Sequence, residues 1–350
     1  MIKEQQQLLD WYKKSSESMP WRETSDPYKI WISEIMLQQT QVTTAKDYYI
    51  AWITKLPAVE DVANSSIDDL LKLWEGLGYY RRVHNIHKTA KMIVNHHSGL
   101  IPASYDQLTK LKGIGDYTAS AILSIAFNQV YPAIDGNVKR IFSRIYKTNN
   151  VKKIYNKAHN QIKHLMDGAT PGDITQSLMD LGRDICTSSS PNCIQCPFSK
   201  NCLAFINNKT ALYPKKSAKQ KKPHYDVVVG MIYKADKFLI SQRHNKGLLG
   251  GLWELPGGKK NKNEKNQECL KREIKEELGI LIDVGEKIGE VQHVYSHFKI
   301  NLLGYTCKHK KGNPKPLASQ KIKWVDLKSI NDFAFPRSTI KLLSLIEGVA

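Results

Sequence analysis

Two acids far apart along the chain, Glu34 and Asp135, stand in surroundings that would drive their proton affinities apart. Glu34 falls on a segment that reads as a helix, with Asp26 as N-cap and Pro27 at the first helical position. Its three- and four-residue neighbours are Ile30, Trp31, Leu37 and Gln38. An acid on the edge of such an apolar stripe is expected to keep its proton near neutrality. Asp135, in Ala133-Ile134-Asp135-Gly136-Asn137-Val138, is placed to cap a helix over Val138–Tyr146, where the dipole favours the ionised form. One protonated and one charged carboxyl is the pair that breaking a glycosidic bond through an oxocarbenium-like state requires. Taken alone, a Glu on a helix is most often a solvated residue, so the pair needs the rest of the pattern.

Leu111-Lys112-Gly113-Ile114-Gly115 precedes an apolar helix read over Tyr117–Phe127. Two glycines two apart let backbone approach a ligand closely, and helix-start N–H groups then point at an anion. That is the grammar of a helix–hairpin–helix, which grips a nucleic-acid backbone without reading its sequence. Glycines also end ordinary helices, so Gly113 and Gly115 are weighed with Asp135, twenty residues beyond. A third group is Cys186, Cys193, Cys196 and Cys202, spaced Cys-x6-Cys-x2-Cys-x5-Cys. Four thiolates on one short loop hold zinc or a [4Fe–4S] cluster, and softness alone does not choose. Cys269 and Cys307 lie outside the pattern and read as buried or idle thiols. Finally, Glu273, Glu276 and Glu277 fall on one side of a helix read over Glu268–Leu278, an oxygen-ligand set suited to magnesium.

The elements that position these groups fall into two grammars. From residue 1 to about 206 the periodicity is helical, and Ser66 with Asp69 and Ser104 with Gln107 have capping-box spacing. Residues 207–225 hold six Lys, no acid before Tyr225, and Pro214 and Pro223, the composition of a basic linker. Beyond 226, strands are expected at Val227–Tyr233, Phe238–Gln242, Val291–Gly304 and Ile322–Val325. An all-α first domain and an α+β second domain result. The 350 residues carry 52 Lys and Arg against 33 Asp and Glu, a formal charge of +19. Such an excess favours a polyanionic partner. No apolar run suits a signal peptide or a membrane span, and the clustered Cys argue for a reducing compartment, so a cytoplasmic protein is expected.

Residues 1–206 resemble the adenine DNA glycosylases of the MutY type, in the helix–hairpin–helix glycosylase superfamily. The resemblance rests on Pro20-Trp21-Arg22, the run Ser33 to Val42, Gly76-Leu77-Gly78-Tyr79-Tyr80, the hairpin, and Asp135-Gly136-Asn137-Val138-Lys139-Arg140. It implies that Glu34 protonates the departing adenine and Asp135 stabilises the sugar cation, with Tyr117 and Asn137 assisting. It places Trp21, Arg22 and Gln176 around the flipped base, and Gln39 and Tyr79 as wedges in the stack it leaves. It also makes the four Cys ligands of a [4Fe–4S] cluster. Residues 226–350 resemble a Nudix-type domain that inspects 8-oxoguanine, with Ser296 and His297 in His293-Val294-Tyr295-Ser296-His297 as contacts. The family usually has Phe at Tyr295. Gly258, Glu264 and Arg272 to Ile280 match the complete Nudix hydrolase box, so Mg2+ and an added pyrophosphohydrolase activity enter as a further expectation.

The implied protein is a monomer acting on double-stranded DNA with adenine opposite 8-oxoguanine or guanine, leaving an abasic site. Two alternatives stay open. A bifunctional glycosylase and lyase of the endonuclease III branch is disfavoured because Tyr117 occupies the position of the Schiff-base lysine. A non-catalytic iron–sulfur DNA-binding protein is disfavoured by the retained acids.

Overall fold

Thirteen residues from Lys3 open the chain as helix α1 (Lys3–Ser15) in a computed structural model that describes residues 3–15, 17–215 and 221–346. The linker lysines Lys216 and Lys219 lie outside the described residues. By internal contacts the chain forms two compact units: Met1–Asn64 with Asn85–Ala218, and Ser65–His84 with Lys219–Ala350.

The first unit is helical. Asp26 caps α2 (Pro27–Leu37) by accepting from the backbone N–H of Tyr28 and Lys29, and Pro27 starts the helix where no donor is needed. Next come α3 (Val42–Lys55) and α4 (Val59–Asn64), then α5 (Ile67–Leu73) in the second unit and α6 (Arg81–His97), which starts there. Tyr28 donates to the Leu56 carbonyl at 2.7 Å and accepts from the Trp52 indole at 3.1 Å, so both buried polar tips are satisfied. The short α7 (Tyr105–Leu108) leads through the hairpin to α8 (Asp116–Ile125). Ser104 makes no capping bond, and Ser66 realises only the cap half of the expected box, accepting from the Asp69 N–H.

Asp135 caps α9 (Gly136–Ile145), Asn150 caps α10 (Val151–Met166), and Pro171 begins α11 (Pro171–Asp180). Helix α11 runs into one π-helical turn, Leu181–Ile185, before the cysteine loop and α12 (Leu203–Ile206). Helices α8 and α11 cross closely. A Cβ on Gly172 would stand 3.2 Å from the Ile125 Cα and the Ser124 carbonyl, and Thr175 donates to Ser124 at 2.9 Å. Leu8, Val138, Ile141, Phe142, Ile162, Ile174 and Leu178 form the core beneath α9 and α11.

The 207–225 segment is not a free tether along its whole length. Arg144 donates to the carbonyls of Thr210 and Tyr213, and Lys215 N–H bonds to Asn149, so its first part is fastened to the helical unit. Arg144 holds Thr210 and Tyr213 through their backbone carbonyls, a contact that composition does not reveal. Ser65–His84 also departs from a single boundary near 206, since its contacts count with the second unit. There Gln242 donates to Asp68 at 2.7 Å, the Phe335 N–H to Glu75 at 2.7 Å, and His84 bonds to the Gly250 carbonyl.

The rest of the second unit is a mixed sheet. Its strands are β1 (His224–Lys234), β2 (Lys237–Gln242), β3 (Trp253–Glu254), β4 (Gly257–Lys259), β5 (Leu281–Val294), β6 (Lys299–Lys311) and β7 (Lys321–Val325). The order is β3-β2-β1-β6-β5, with β4 on β1 and β7 on β2. Strands β1 and β6 pair in parallel, and the other pairs are antiparallel. The strand expected over Val291–Gly304 is two strands and a turn. Tyr295 N–H bonds to the Phe298 carbonyl and reverses the chain there. Alternation along β1 splits the core: Val228 and Ile232 pack on α13 (Asn266–Leu278), whereas Val229 and Met231 share a cluster with Leu342 and Leu343 of α14 (Arg337–Leu343). Among the described residues no helix is long and apolar enough to cross a membrane.

Candidate active site

In the first unit a cavity of about 1120 Å³ is lined by Trp21, Arg22, Glu34, Tyr117, Asp135, Asn137 and Gln176, together with Gln39, Gly113 and Gly115. Residues more than a hundred positions apart are thus brought around one space large enough for a purine. Glu34 is 5% exposed on α2, and the Tyr117 hydroxyl on α8 donates to its Oε2 at 2.8 Å. Burial pushes the Glu34 carboxyl up to about 7; the Tyr117 bond and the Arg22 charge oppose that rise, and Asp135 adds to it.

Asp135 accepts from the Val138 N–H at 2.7 Å, as a capping residue should. Its carboxyl is nevertheless raised above the ordinary range. Burial outweighs the N–H bonds of Val138 and Asn137, the Arg140 charge and the Asn137 side chain, so the helix terminus alone does not set its proton affinity. The asymmetry lies in partners. Two backbone donors, an amide and a guanidinium favour the charged form of Asp135, while Glu34 has one hydroxyl and a more distant Arg.

Arg140 is a residue that sequence reasoning left unassigned. It donates to the Asn137 side-chain oxygen at 2.8 Å, to the Gly182 carbonyl at 2.7 Å and to the Cys186 carbonyl at 2.7 Å. The π-helical turn frees those carbonyls, and Arg140 satisfies them while fixing Asn137. Gly182 is required by space: a Cβ there would lie 2.5 Å from the Asn137 Cβ. Asp180 is the second unassigned residue, paired with Arg22 through both terminal nitrogens. Gln176 accepts from Tyr12 at 3.3 Å, and Trp21 packs edge-on against Tyr49.

Gly113 adopts φ +84°, and a Cβ there would stand 2.8 Å from the Asn85 Cβ, so both conformation and space demand glycine. Gly115 has an ordinary φ, and a Cβ would meet nothing within 4 Å. Gln39 and Tyr79 both hold positive φ, +58° and +51°, a backbone conformation that residues with a side chain adopt at a cost.

Tyr79, 41% exposed, belongs to the second unit, and its hydroxyl bonds to Ser296 at 2.6 Å. Arg82 lies over the Tyr79 and Trp74 rings and donates to the Gly78 carbonyl. The 295–298 turn is held by the stack of Tyr295 on Phe298, the His293 edge on Tyr295, and the Tyr295–Ser338 hydroxyl bond at 2.8 Å. That packing leaves Ser296 and His297 exposed at the tip. The Tyr295 hydroxyl has a partner that a phenylalanine would not need.

All six cysteines are free thiols. Burial raises Cys193, Cys196 and Cys202, Cys196 to about 12, and each also feels the charge of Cys186. Arg144 donates to the Cys186 sulfur at 3.2 Å. Arg144 thus gives Cys186 a positive donor, but among the described residues no three His, Cys, Asp or Glu are assembled to hold a metal ion, these four thiols included.

The magnesium expectation is not met. Among the described residues no three His, Cys, Asp or Glu are assembled to hold a metal ion. Glu273 is paired with Arg272 at 2.8 Å, and Glu276, 60% exposed, lies 3.2 Å from the same guanidinium. Glu277 turns the other way to accept from the Gly257 N–H, and burial with the Glu254 charge pushes it up to about 7. Shared helix spacing put three carboxylates near one another, but Arg272 occupies Glu273 and Glu276 while Glu277 is taken up by the Gly257 N–H.

The sequence model of the HhH-GPD superfamily of base excision DNA repair proteins matches residues 32–166, and that of the NUDIX domain matches residues 227–345. An adenine DNA glycosylase of Buchnera aphidicola is 34% identical over 97% of this chain and 96% of its own. The Homo sapiens adenine DNA glycosylase is 29% identical over 97% of this chain and 73% of its own. Among solved structures, a thermostable thymine-DNA glycosylase superposes with TM-score 0.54 at 26% identity, over 59% of this chain and 97% of that one.

Proposed function

The chain belongs to the adenine DNA glycosylase family and is a DNA-repair glycosylase with a helix–hairpin–helix domain and a Nudix domain, and from that premise we propose how its pocket performs the reaction. The observation that carries the reading is the shared cavity of Glu34 and Asp135, with Tyr117 bonded to Glu34. An adenine flipped into it meets Glu34 as the proton donor to the leaving base, since a carboxyl near 7 keeps much of its proton at neutral pH. Asp135, with Asn137 held by Arg140, faces the deoxyribose and stabilises its developing cation. Trp21, Arg22 and Gln176 border the base, while Gln39 enters the space it vacates in the stack. Tyr117 offers no amine, so an abasic site is the product and the strand remains intact.

The base opposite is 8-oxoguanine or guanine. Ser296, His297 and Tyr79 form its recognition surface, supported by the Tyr79–Ser296 bond and the exposed tip of the 295–298 turn. Cys186, Cys193, Cys196 and Cys202 hold a [4Fe–4S] cluster, which when bound braces a loop containing Lys200 for phosphate contact. The protein acts as a monomer in the cytoplasm, associated with the DNA.

Incubation with duplexes bearing adenine opposite each base tests this reading. Excision is expected to be fastest opposite 8-oxoguanine, and the product strand is expected to break only after alkali. Glu34→Gln and Asp135→Asn are each expected to slow single-turnover excision by roughly a thousandfold while duplex affinity holds. Direct nicking without alkali would favour the lyase alternative, and equal loss of binding and turnover would remove the two acids from the chemistry.

A further inference from the structure

Asp180 ends α11 at the cavity wall, 2% exposed, where nothing in the sequence marks it for a role. Its Oδ2 accepts from Arg22 Nη1 at 2.5 Å and its Oδ1 from Arg22 Nη2, a fork-on-fork pair. Arg183, in the π-helical turn that follows, brings a second guanidinium to Oδ1 at 3.3 Å. Arg183 is itself paired with Asp184 at 2.6 Å and lies 4.0 Å from Glu17. Arg22, Asp180 and Arg183 line the same cavity as Glu34. Arg22 has a further constraint, since its guanidinium lies over the Tyr12 ring at 5.7 Å.

A fixed cation and a proton-donating acid in one buried space work against each other. The positive charge of Arg22 favours the ionised form of Glu34, while burial favours the protonated one. A pocket that needs both the guanidinium, for its donors, and the proton, for its chemistry, must neutralise the former locally. Asp180 is placed to do so because it bonds directly to both terminal nitrogens of Arg22.

We propose that Asp180 is a positioning residue for excision: its buried carboxylate clamps both terminal nitrogens of Arg22 and screens Glu34 from that cation. The inference rests on the assignment of Glu34 as proton donor. The charged and titratable groups facing Glu34 are Arg22 from the 20–22 turn, Tyr117 from α8 and Asp135 ahead of α9, with Asp180 and Arg183 standing behind Arg22. Removing the Asp180 charge alters only the Arg22 side of that set.

The test is the pH profile of single-turnover excision by the full chain on a saturating adenine:8-oxoguanine duplex. Excision falls on the alkaline side as the acid loses its proton. In Asp180→Asn, which keeps a hydrogen-bonding oxygen, the midpoint of that limb is expected to move down by roughly one pH unit. Rates then fall about tenfold at pH 8 and change little at pH 6. Arg22→Met, which removes the cation and leaves Asp180 in place, is expected to raise the midpoint. Adding Asp180→Asn to Arg22→Met should then produce no downward shift, and Asp180→Glu should restore the wild-type midpoint. An unmoved midpoint in Asp180→Asn, a uniform loss at every pH, or a downward shift that persists without Arg22 would each overturn the proposal. Full excision by Glu34→Gln would instead overturn the assignment of the acid itself, so the two failures are distinguishable.

Discussion

The acid that the pocket keeps protonated weakens the fold that holds it. Glu34 binds its proton with a pKa near 7 in the folded chain against 4.5 in an exposed carboxyl. Between those two values the native state carries a proton that the unfolded chain has released, so stability falls as pH rises through this window and is fully reduced above it. The difference corresponds to about 3 kcal/mol as an upper figure. Glu34→Gln keeps the shape and the bond from Tyr117 but cannot ionise. It is therefore expected to be more stable than the wild type at pH 8, by up to that amount, and no more stable at pH 4. Urea unfolding at the two pH values measures this. A variant equally or less stable at pH 8 would mean that Glu34 is solvated in the folded protein. Residues that raise activity at the expense of stability are the expected mark of a reaction centre. Arg140 and Asp180 show why others were missed in the sequence. Arg22 and Asp180 are 158 positions apart, and Arg140 acts on carbonyls of a turn more than forty residues away, so no local spacing announces either.

At the level of elements, local rules carried far where capping chemistry was explicit. Asp26 with Pro27, and Asp135 before Gly136, start helices where their side chains say they should. They failed where the decisive contact was tertiary. The turn at 295–298 contains no glycine or proline, and aromatic stacking with the Ser338 contact reverses the chain, so alternation alone read it as continuous strand. The hairpin before α8 gives a sharper case, because its two glycines are there for different reasons. Gly113 is required by its own φ and by Asn85, so Gly113→Ala is expected to lower stability by about 1 kcal/mol or more and weaken duplex binding with it. Gly115 has a permissive φ and open space, so Gly115→Ala is expected to leave the melting temperature essentially unchanged. If a phosphate approaches that backbone, the same variant weakens duplex affinity several-fold, because the added methyl stands between the α8 N–H groups and the anion. Equal affinity in wild type and Gly115→Ala would place the DNA backbone elsewhere.

Across the whole molecule the formal charge of +19 asks where the phosphates lie. The 207–225 segment was read as a basic connection; its exposed Lys209 and Lys215 flank backbone that Arg144 and Asn149 have already fastened down, and Lys221 is exposed further along it. Lys222 is engaged differently, donating to the Tyr295 carbonyl at 2.9 Å beside the exposed turn, so its loss would confuse phosphate binding with turn geometry. Solvent-facing lysines release condensed counterions when they meet a phosphate, and each such contact contributes about 0.9 to the slope of log affinity against log salt. Replacing Lys209, Lys215 and Lys221 with alanine is therefore expected to flatten that slope by roughly two to three, measured by equilibrium binding between 50 and 200 mM salt. The loss should be the same for duplexes with adenine opposite 8-oxoguanine, opposite guanine, and for undamaged DNA, since phosphate contacts carry no base information. A slope unchanged by the triple substitution would mean that these lysines face solvent in the complex, and that the charge which draws DNA to this protein resides on the hairpin and the cysteine loop.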